Sequence, residues 1–112
     1  MNLNAGERPA LTSLMVQFID GPRAKETLTF KQDEVPITIG RSHECKIQIK
    51  EGYLSRVQSR IDYIDDKWIL KDGNGPKKPS ANGTWIFAGE GEKMEDKMIF
   101  KAGHSLFQVD IL

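Results

Sequence analysis

The sequence has little cysteine and no long apolar run, and these two absences exclude several classes of protein. Cys45 is the only cysteine among 112 residues. Because a lone cysteine forms neither an internal disulfide nor a multi-cysteine metal site, we expect an intracellular protein, nuclear or cytoplasmic. The first eleven residues, MNLNAGERPAL, lack the apolar core of a secretory signal, and no later run is long enough to span a bilayer. The sequence therefore predicts no association with a membrane.

The chain also lacks an excess of charge of either sign. Lys and Arg total 16, and Asp and Glu total 16. Domains that bind nucleic acid are usually strongly basic, so this balance argues against direct binding to nucleic acid. Any site for an anion must therefore come from local clustering of basic side chains.

Motifs for catalysis and for cofactor binding are missing as well. The sequence contains no Walker loop and no Gly-x-Ser-x-Gly motif. Its two histidines and single cysteine lack the spacing of a zinc site. We therefore expect no catalytic residue, no metal and no cofactor, and a recognition module rather than an enzyme.

What the sequence does contain is apolar and polar residues in alternation, with the period of two that is typical of β-strands. Polar or glycine-containing turns such as Asp65-Asp66 separate the runs. Many short strands with polar turns predict an all-β sandwich or barrel of roughly nine to eleven strands. The alternating apolar residues are Leu14, Val16 and Phe18; Leu28 and Phe30; Ile37 and Ile39; Ile47 and Ile49; Ile61 and Tyr63; Trp68 and Leu70; Trp85 and Phe87; Met98 and Phe100; and Phe107, Val109 and Ile111.

The length is that of one domain, with a short leader before it. Residues 1–12 are rich in Asn, Gly, Glu, Arg and Pro and are predicted to be flexible, and residues 13–112 are predicted to form the domain. The chain stops within or just after the run that ends at Leu112, which suggests a module of a larger protein. The longest irregular stretch, DGNGPKKPSA at 72–81, is predicted to be an exposed loop, where binding residues concentrate.

Three short segments carry side chains suited to a phosphate and to the peptide that bears it. They are Gly40-Arg41, Ser55-Arg56-Val57-Gln58 and Asn82-Gly83-Thr84, and each lies where an apolar run begins or ends. Arginine offers a planar fork of donors, serine a hydroxyl, and asparagine both a donor and an acceptor. If loops bring these groups together at one end of the β structure, they form a surface that recognises phosphate.

The order of these segments resembles that of a forkhead-associated (FHA) domain. The similarity runs from about Leu14 to Ile111, and its motifs are ITIGRS at 37–42, IQI at 47–49, LSRVQSRI at 54–61 and NGTWI at 82–86. The resemblance implies a β-sandwich of about eleven strands, SMAD/FHA-like, with functional loops at one end. It also implies binding of phosphothreonine peptides.

The resemblance assigns roles to the residues of these motifs. Arg41 and Ser55 would hold the phosphate, Arg56 would add a second positive charge, and Asn82 would bond to the main chain of the bound peptide. Each residue also has an ordinary structural interpretation. Arg41 could form a surface ion pair, Ser55-Arg56 could be a simple turn, and Asn82-Gly83 is a hairpin-turn signal that is compatible with the peptide contact.

Further residues are predicted to contact the peptide or to support the site. Ser80 and Lys77 lie in the long loop, and Tyr53 is near Ser55; all three are candidates for peptide contact, although lysines of a loop are often only solvated. Gly40, Gly83 and Gln58 are predicted to support the site. Gln58 stands where the family pattern has a scaffold histidine, three positions after the serine.

Two functions of different kinds follow. The first is a phosphothreonine-dependent protein-binding module of a larger signalling or scaffold protein, whose partner is a phosphothreonine-containing protein or peptide. The second follows from Gln58: a degenerate FHA-like sandwich that binds proteins independently of phosphate.

Overall fold

The computed structural model describes residues 11–52, 54–73, 84–86 and 93–112, with the backbone alone at 84–86. These residues form nine β-strands and one short 3-10 helix. The strands are β1 (Ser13–Asp20), β2 (Thr27–Lys31), β3 (Ile37–Gly40), β4 (Ile47–Gln48), β5 (Ser59–Ile64), β6 (Lys67–Asp72), β7 (Thr84–Ile86), β8 (Ile99–Ala102) and β9 (Ser105–Ile111), and the 3-10 helix is Gln32–Glu34.

The strands form two sheets. One sheet has five strands in the order β2-β1-β9-β8-β7, and the other has four in the order β4-β3-β5-β6. All neighbouring pairs are antiparallel in the described part of the chain, except β3 and β4, which are parallel. The predicted all-β architecture is confirmed.

The core lies between the sheets and is made of the alternating apolar residues. Leu14, Val16 and Phe18 of β1 are buried, because in a strand every second side chain points to the same face. The ring of Phe107 in β9 stacks on Phe100 at 4.8 Å between centroids and meets Phe18 edge-on at 5.0 Å. The aromatic residues of β1, β8 and β9 therefore pack on one another at the inner face of the five-stranded sheet.

The predicted turn at Asp65-Asp66 is confirmed and sets the register of the hairpin β5–β6. Both aspartates have positive φ, 52° and 63°, as a two-residue type I′ turn requires. The turn places Ile64 opposite Lys67 and Tyr63 opposite Trp68. The rings of Tyr63 and Trp68 consequently meet edge-on at 4.9 Å.

Some strand limits differ from the sequence prediction. The described residues hold nine strands, fewer than the eleven that the family resemblance implied. Strand β4 stops at Gln48, although Ile49 is buried, and buried Met98 precedes β8. Strand β6 extends through Asp72, because Asp72 still pairs with Ser59. Phe87, which was predicted to lie in a strand, is outside the described residues. Residues 74–81 of the predicted loop are outside them as well.

Strand direction decides which loops share an end of the sandwich. Ile39, near the end of β3, pairs with Ser59 at the start of β5, and Ser59 pairs with Asp72 at the end of β6. The segments 41–46 and 49–58 and the chain after Gly73 therefore leave the four-stranded sheet from the same end. The turn at Asp65 lies at the opposite end. No helix in the described part of the chain is long and apolar enough to cross a membrane.

A polar cluster on the outer face of the five-stranded sheet centres on Asp110. Its carboxylate accepts hydrogen bonds from Gln108 Nε2 at 3.1 Å, Lys97 Nζ at 3.0 Å and Gln17 Nε2 at 3.0 Å. The bond from Gln108, then the bond from Lys97, lowers the pKa of Asp110 below its ordinary value. These donors join β1, β9 and the segment before β8.

We expect Asp110→Asn to lower the free energy of unfolding near neutral pH and to lower it less in acid. A carboxylate whose pKa is lowered on folding contributes stability above the unfolded pKa, and this stability is lost as the pH falls through the folded pKa. Urea unfolding of the wild type and the variant at neutral pH and at pH ~2 measures the difference. Asp33→Asn on the exposed 3-10 helix is the control, and an Asp110→Asn effect that stayed constant with pH would contradict the assignment.

Candidate functional site

The two loops that carry Arg41 and Ser55 meet at Gly40, the last residue of β3. A Cβ atom at Gly40 would lie 2.2 Å from the carbonyl oxygen of Arg56 and 2.9 Å from the amide nitrogen of Gln58. No other residue fits there without movement of the backbone. The sequence predicted that Gly40 supports the site; the structure gives the reason for glycine at this position, which is the close approach of the neighbouring chain.

Arg41 leaves β3 directly into this end of the sandwich. Its backbone N–H donates to the carbonyl of Ser55 at 3.1 Å, and its Nε donates to the carbonyl of Leu54 at 2.9 Å. Arg41 is exposed, and its Nη atoms make no hydrogen bond within the described ranges. Arg41 is thus held at the base of its guanidinium, and the terminal nitrogens keep their donors for a ligand.

Ser55 is positioned by Gln58. The buried side chain of Gln58 is 0% exposed, and its Oε1 accepts a hydrogen bond from the backbone N–H of Ser55 at 3.0 Å. The backbone N–H of Gln58 donates to Ile39 O at 2.7 Å, and its carbonyl accepts from Gly73 N–H at 2.9 Å. Gln58 therefore links β3, the Ser55 turn and the chain that leaves β6.

Arg56 contributes through its backbone as well as its side chain. Its carbonyl oxygen accepts from the N–H of Ser42 and from the thiol of Cys45, each at 3.1 Å. Burial raises the pKa of the Cys45 thiol above its ordinary value, so the thiol keeps the proton that it donates. The exposed side chain of Arg56 adds a second guanidinium beside Ser55.

A second chain of contacts joins the site to the β1–β2 turn. The carbonyl of Arg41 accepts from Gln48 Nε2 at 3.2 Å, and the carbonyl of Gln48 accepts from Arg23 Nη1 at 2.9 Å. Arg23 also lies over the ring of Phe18, at 4.9 Å, and forms an ion pair with Glu26 at 2.6 Å. The ion pair lowers the pKa of Glu26.

The structure brings Arg41, Ser55, Arg56, Gly40 and Gln58 together at one end of the sandwich. The remaining predicted residues lie outside the described residues: Tyr53, Lys77, Ser80, Asn82 and Gly83. The arrangement combines two exposed guanidinium groups with a serine beside them. Such a set can bind a doubly charged anion by charge-assisted hydrogen bonds.

Sequence reasoning gave no role to Ser42, Cys45, Gln48 or Leu54, which hold the two loops in place. Ser42 accepts from the N–H of Glu44 at 3.1 Å, a local serine turn that the residue type could have indicated. Leu54 acts through its backbone carbonyl, for which the sequence contains no signal. Cys45 carried only the signal of being the single cysteine.

The family profile for the FHA domain matches residues 37–106. This range covers more than half of the chain and includes β3 through the start of β9. The chain belongs to the FHA domain family. No relative among the curated proteins matches the chain in sequence.

Solved structures of FHA domains have the same fold. The kinase-interacting FHA domain of the kinase associated protein phosphatase KAPP in Arabidopsis superposes with a TM-score of 0.72 at 17% identity, covering 92% of this chain and 96% of its own. An FHA domain solved in work on phosphothreonine-dependent FHA interactions gives a TM-score of 0.68 at 24% identity, and the match covers 88% of this chain and 95% of that domain. The FHA domain of FhaA, complexed with the intracellular domain of Rv3910, gives a TM-score of 0.66 at 23% identity, and the match covers 86% of this chain and 98% of that domain.

Proposed function

We propose that this domain binds phosphothreonine-containing proteins through the loops at the Arg41 end of the sandwich. The observation that carries the proposal is the placement of Arg41, an exposed residue whose Nε is fixed to Leu54 O while its terminal nitrogens make no hydrogen bond within the described residues. A guanidinium held in this way loses little side-chain freedom when it binds a phosphate. The FHA relative solved for phosphothreonine-dependent interactions supports the same ligand.

In the proposed complex, Arg41 donates two hydrogen bonds to the phosphate and the Ser55 hydroxyl donates a third. Arg56 adds positive charge from the adjacent position. A phosphothreonine carries about −1.5 to −2 charges at neutral pH, so the two arginines nearly neutralise it. Asn82, Ser80, Lys77 and Tyr53 would contact the peptide on either side of the phosphothreonine.

The Gln58 position supports a formed site despite the departure from the family pattern. A scaffold side chain at this position must be buried and must hold the Ser55 turn. Gln58 meets both requirements: it is buried, and its Oε1 accepts a hydrogen bond from the Ser55 N–H. We therefore favour phosphate-dependent binding over a scaffold that ignores phosphate.

Titration with degenerate peptide libraries tests the proposal. The purified chain is titrated with phosphothreonine peptides and with matched unphosphorylated, phosphoserine and phosphotyrosine peptides. We expect saturable binding of the phosphothreonine library alone. Equal binding of the unphosphorylated library, unchanged after phosphatase treatment of the phosphorylated one, would instead identify a phosphate-independent interaction module.

We expect Gln58→Leu to weaken phosphopeptide binding and to destabilise the domain. Leucine has a similar size but accepts no hydrogen bond, so the Ser55 N–H loses its partner, at a cost of about 1–3 kcal/mol. Gln58→His places a ring nitrogen that can accept a hydrogen bond at this position, so it should preserve phosphopeptide binding and domain stability. Urea unfolding and calorimetric titration measure them, and unchanged affinity in Gln58→Leu would show that Ser55 does not depend on this bond.

A further inference from the structure

At the end of the sandwich opposite Arg41, the two sheets leave an open groove of about 440 Å³. Thr12 and Ile111 line it from the five-stranded sheet, Tyr63 and Trp68 line it from the four-stranded sheet, and Met94 lies between them. The volume falls within the range of about 300–1,000 Å³ of typical ligand sites. Nothing in the proposed phosphothreonine site uses this groove.

Trp68 gives the groove an unsatisfied donor. The indole is 2% exposed, and its Nε1–H has no hydrogen-bond partner in the described part of the chain. A buried N–H without an acceptor costs free energy, and buried tryptophans usually find a partner for this group. Because the atom is buried, an acceptor reaches it only when the side chains that cover it move.

The rim of the groove carries charged side chains. Lys67 and Lys93 line the groove and are exposed, and Asp66 stands beside them. The rim therefore carries a net positive charge of about one and two long, flexible ammonium groups that can follow a ligand. Backbone contacts fix the floor: Met94 N–H donates to Trp68 O at 2.9 Å, and Ile69 pairs with Lys93.

The groove continues into exposed apolar surface. Leu11 precedes the lining residue Thr12, and Leu112 follows the lining residue Ile111. These two leucines are 69% and 64% exposed. Thr12, just before β1, lies beside Leu112, because Thr12 Oγ1 donates to Leu112 O at 3.2 Å. A ligand that fills the groove can therefore also cover these leucines.

We propose that the groove is a second peptide site, which takes an unphosphorylated segment with a large apolar residue next to acidic residues. The apolar side chain packs between Tyr63, Met94 and Ile111. A peptide carbonyl accepts from Trp68 Nε1–H, and the acidic side chains pair with Lys67 and Lys93. The domain would then bind two segments at once, one at each end, and gain affinity from the linkage.

The probe is an acetylated and amidated hexapeptide, Asp-Glu-Leu-Phe-Glu-Asp, titrated into the ¹⁵N-labelled chain. Two control peptides replace its four acidic residues by lysine or its Leu-Phe pair by serines. We expect saturable shifts of the Trp68 indole signal and of the amides near Ile111 with the acidic apolar peptide alone. The indole signal is assigned by its loss in Trp68→Phe.

The double variant Lys67→Glu with Lys93→Glu tests the rim without touching the core. We expect it to weaken binding of the hexapeptide by about tenfold or more, because it places like charges together. Lys25→Glu, at the other end of the sandwich, is the matched control and should bind as the wild type does. Phosphothreonine peptides should bind the double variant normally, so failure at one site is distinguishable from failure at the other.

Other results would overturn the proposal. These are absence of saturable binding, equal binding of the lysine peptide, or equal affinity of the double variant. An indole signal that moves with protein concentration would place a second copy of the chain in the groove. An indole signal already at a hydrogen-bonded shift in the free protein, and unmoved by the peptide, would place the chain's own N-terminal residues there.

Discussion

Arg41→Ala should abolish measurable binding of phosphothreonine peptides while the domain stays folded. The side chain is exposed and donates one hydrogen bond within the described residues, to Leu54 O. Its removal leaves the core intact but leaves the phosphate without its main donor. Truncating one partner of a hydrogen-bonded charge pair costs about 2–5 kcal/mol, and a micromolar complex is worth about 8 kcal/mol.

A second variant separates charge from geometry at this position. Arg41→Lys keeps the positive charge but loses both the planar fork and the Nε bond to Leu54. We expect its affinity to fall between those of the wild type and Arg41→Ala. Calorimetric titration gives the affinities, and thermal unfolding confirms that all three proteins are folded. An Arg41→Ala protein with wild-type affinity would remove Arg41 from the site.

Gly40→Ala should destabilise the domain strongly. The new Cβ would lie 2.2 Å from the Arg56 carbonyl oxygen and 2.8 Å from its carbonyl carbon, both backbone atoms. Relief requires the Ser55–Gln58 segment to move away from β3, at a cost of about 3 kcal/mol, near the upper end for overpacking. For a domain of this size, we expect a fall in the melting temperature of about 12 °C or more.

Gly52→Ala is the matched control, because a Cβ at Gly52 would meet no atom within 4 Å. Both variants add one methyl group to the same end of the molecule, and we expect Gly52→Ala to leave stability nearly unchanged. In Gly40→Ala the displaced segment should also weaken phosphopeptide binding, since Ser55 and Arg56 move with it. Equal melting temperatures for the two variants would show that the chains at Gly40 can separate at no cost.

Part of this site could be predicted from sequence because Arg41 and Ser55 lie in motifs whose order along the chain resembles that of an FHA domain. Arg41 and Ser55 follow or precede alternating apolar runs, and a strand end is where polar side chains reach the surface. The antiparallel pairing of Ile39 with Ser59 then brings both residues to the same end. Residue type alone left a surface ion pair for Arg41 and a simple turn at Ser55-Arg56 as alternatives, and the order of the family motifs favoured the site.

The backbone contacts at the site could not be predicted in the same way. The Arg56 carbonyl accepts from Ser42 and Cys45, and any residue at 56 would supply the same carbonyl. The bond between Gln58 and Ser55 depends on a side-chain conformation that is set by burial between β3 and β6. Such contacts join segments that are distant in sequence, so no local pattern indicates them.

The sequence by itself determined the fold class and the turn at Asp65-Asp66, and its resemblance to the family predicted that Arg41 and Ser55 lie at one end of the sandwich. It did so because alternation and turn chemistry are local properties of the chain. Only the tertiary structure decided why position 40 must be glycine and how Gln58 supports Ser55. The tertiary structure also decided that the buried Nε1–H of Trp68, a residue that lines an open groove, has no hydrogen-bond partner among the described residues, because burial and hydrogen-bond satisfaction depend on which segments pack together in space.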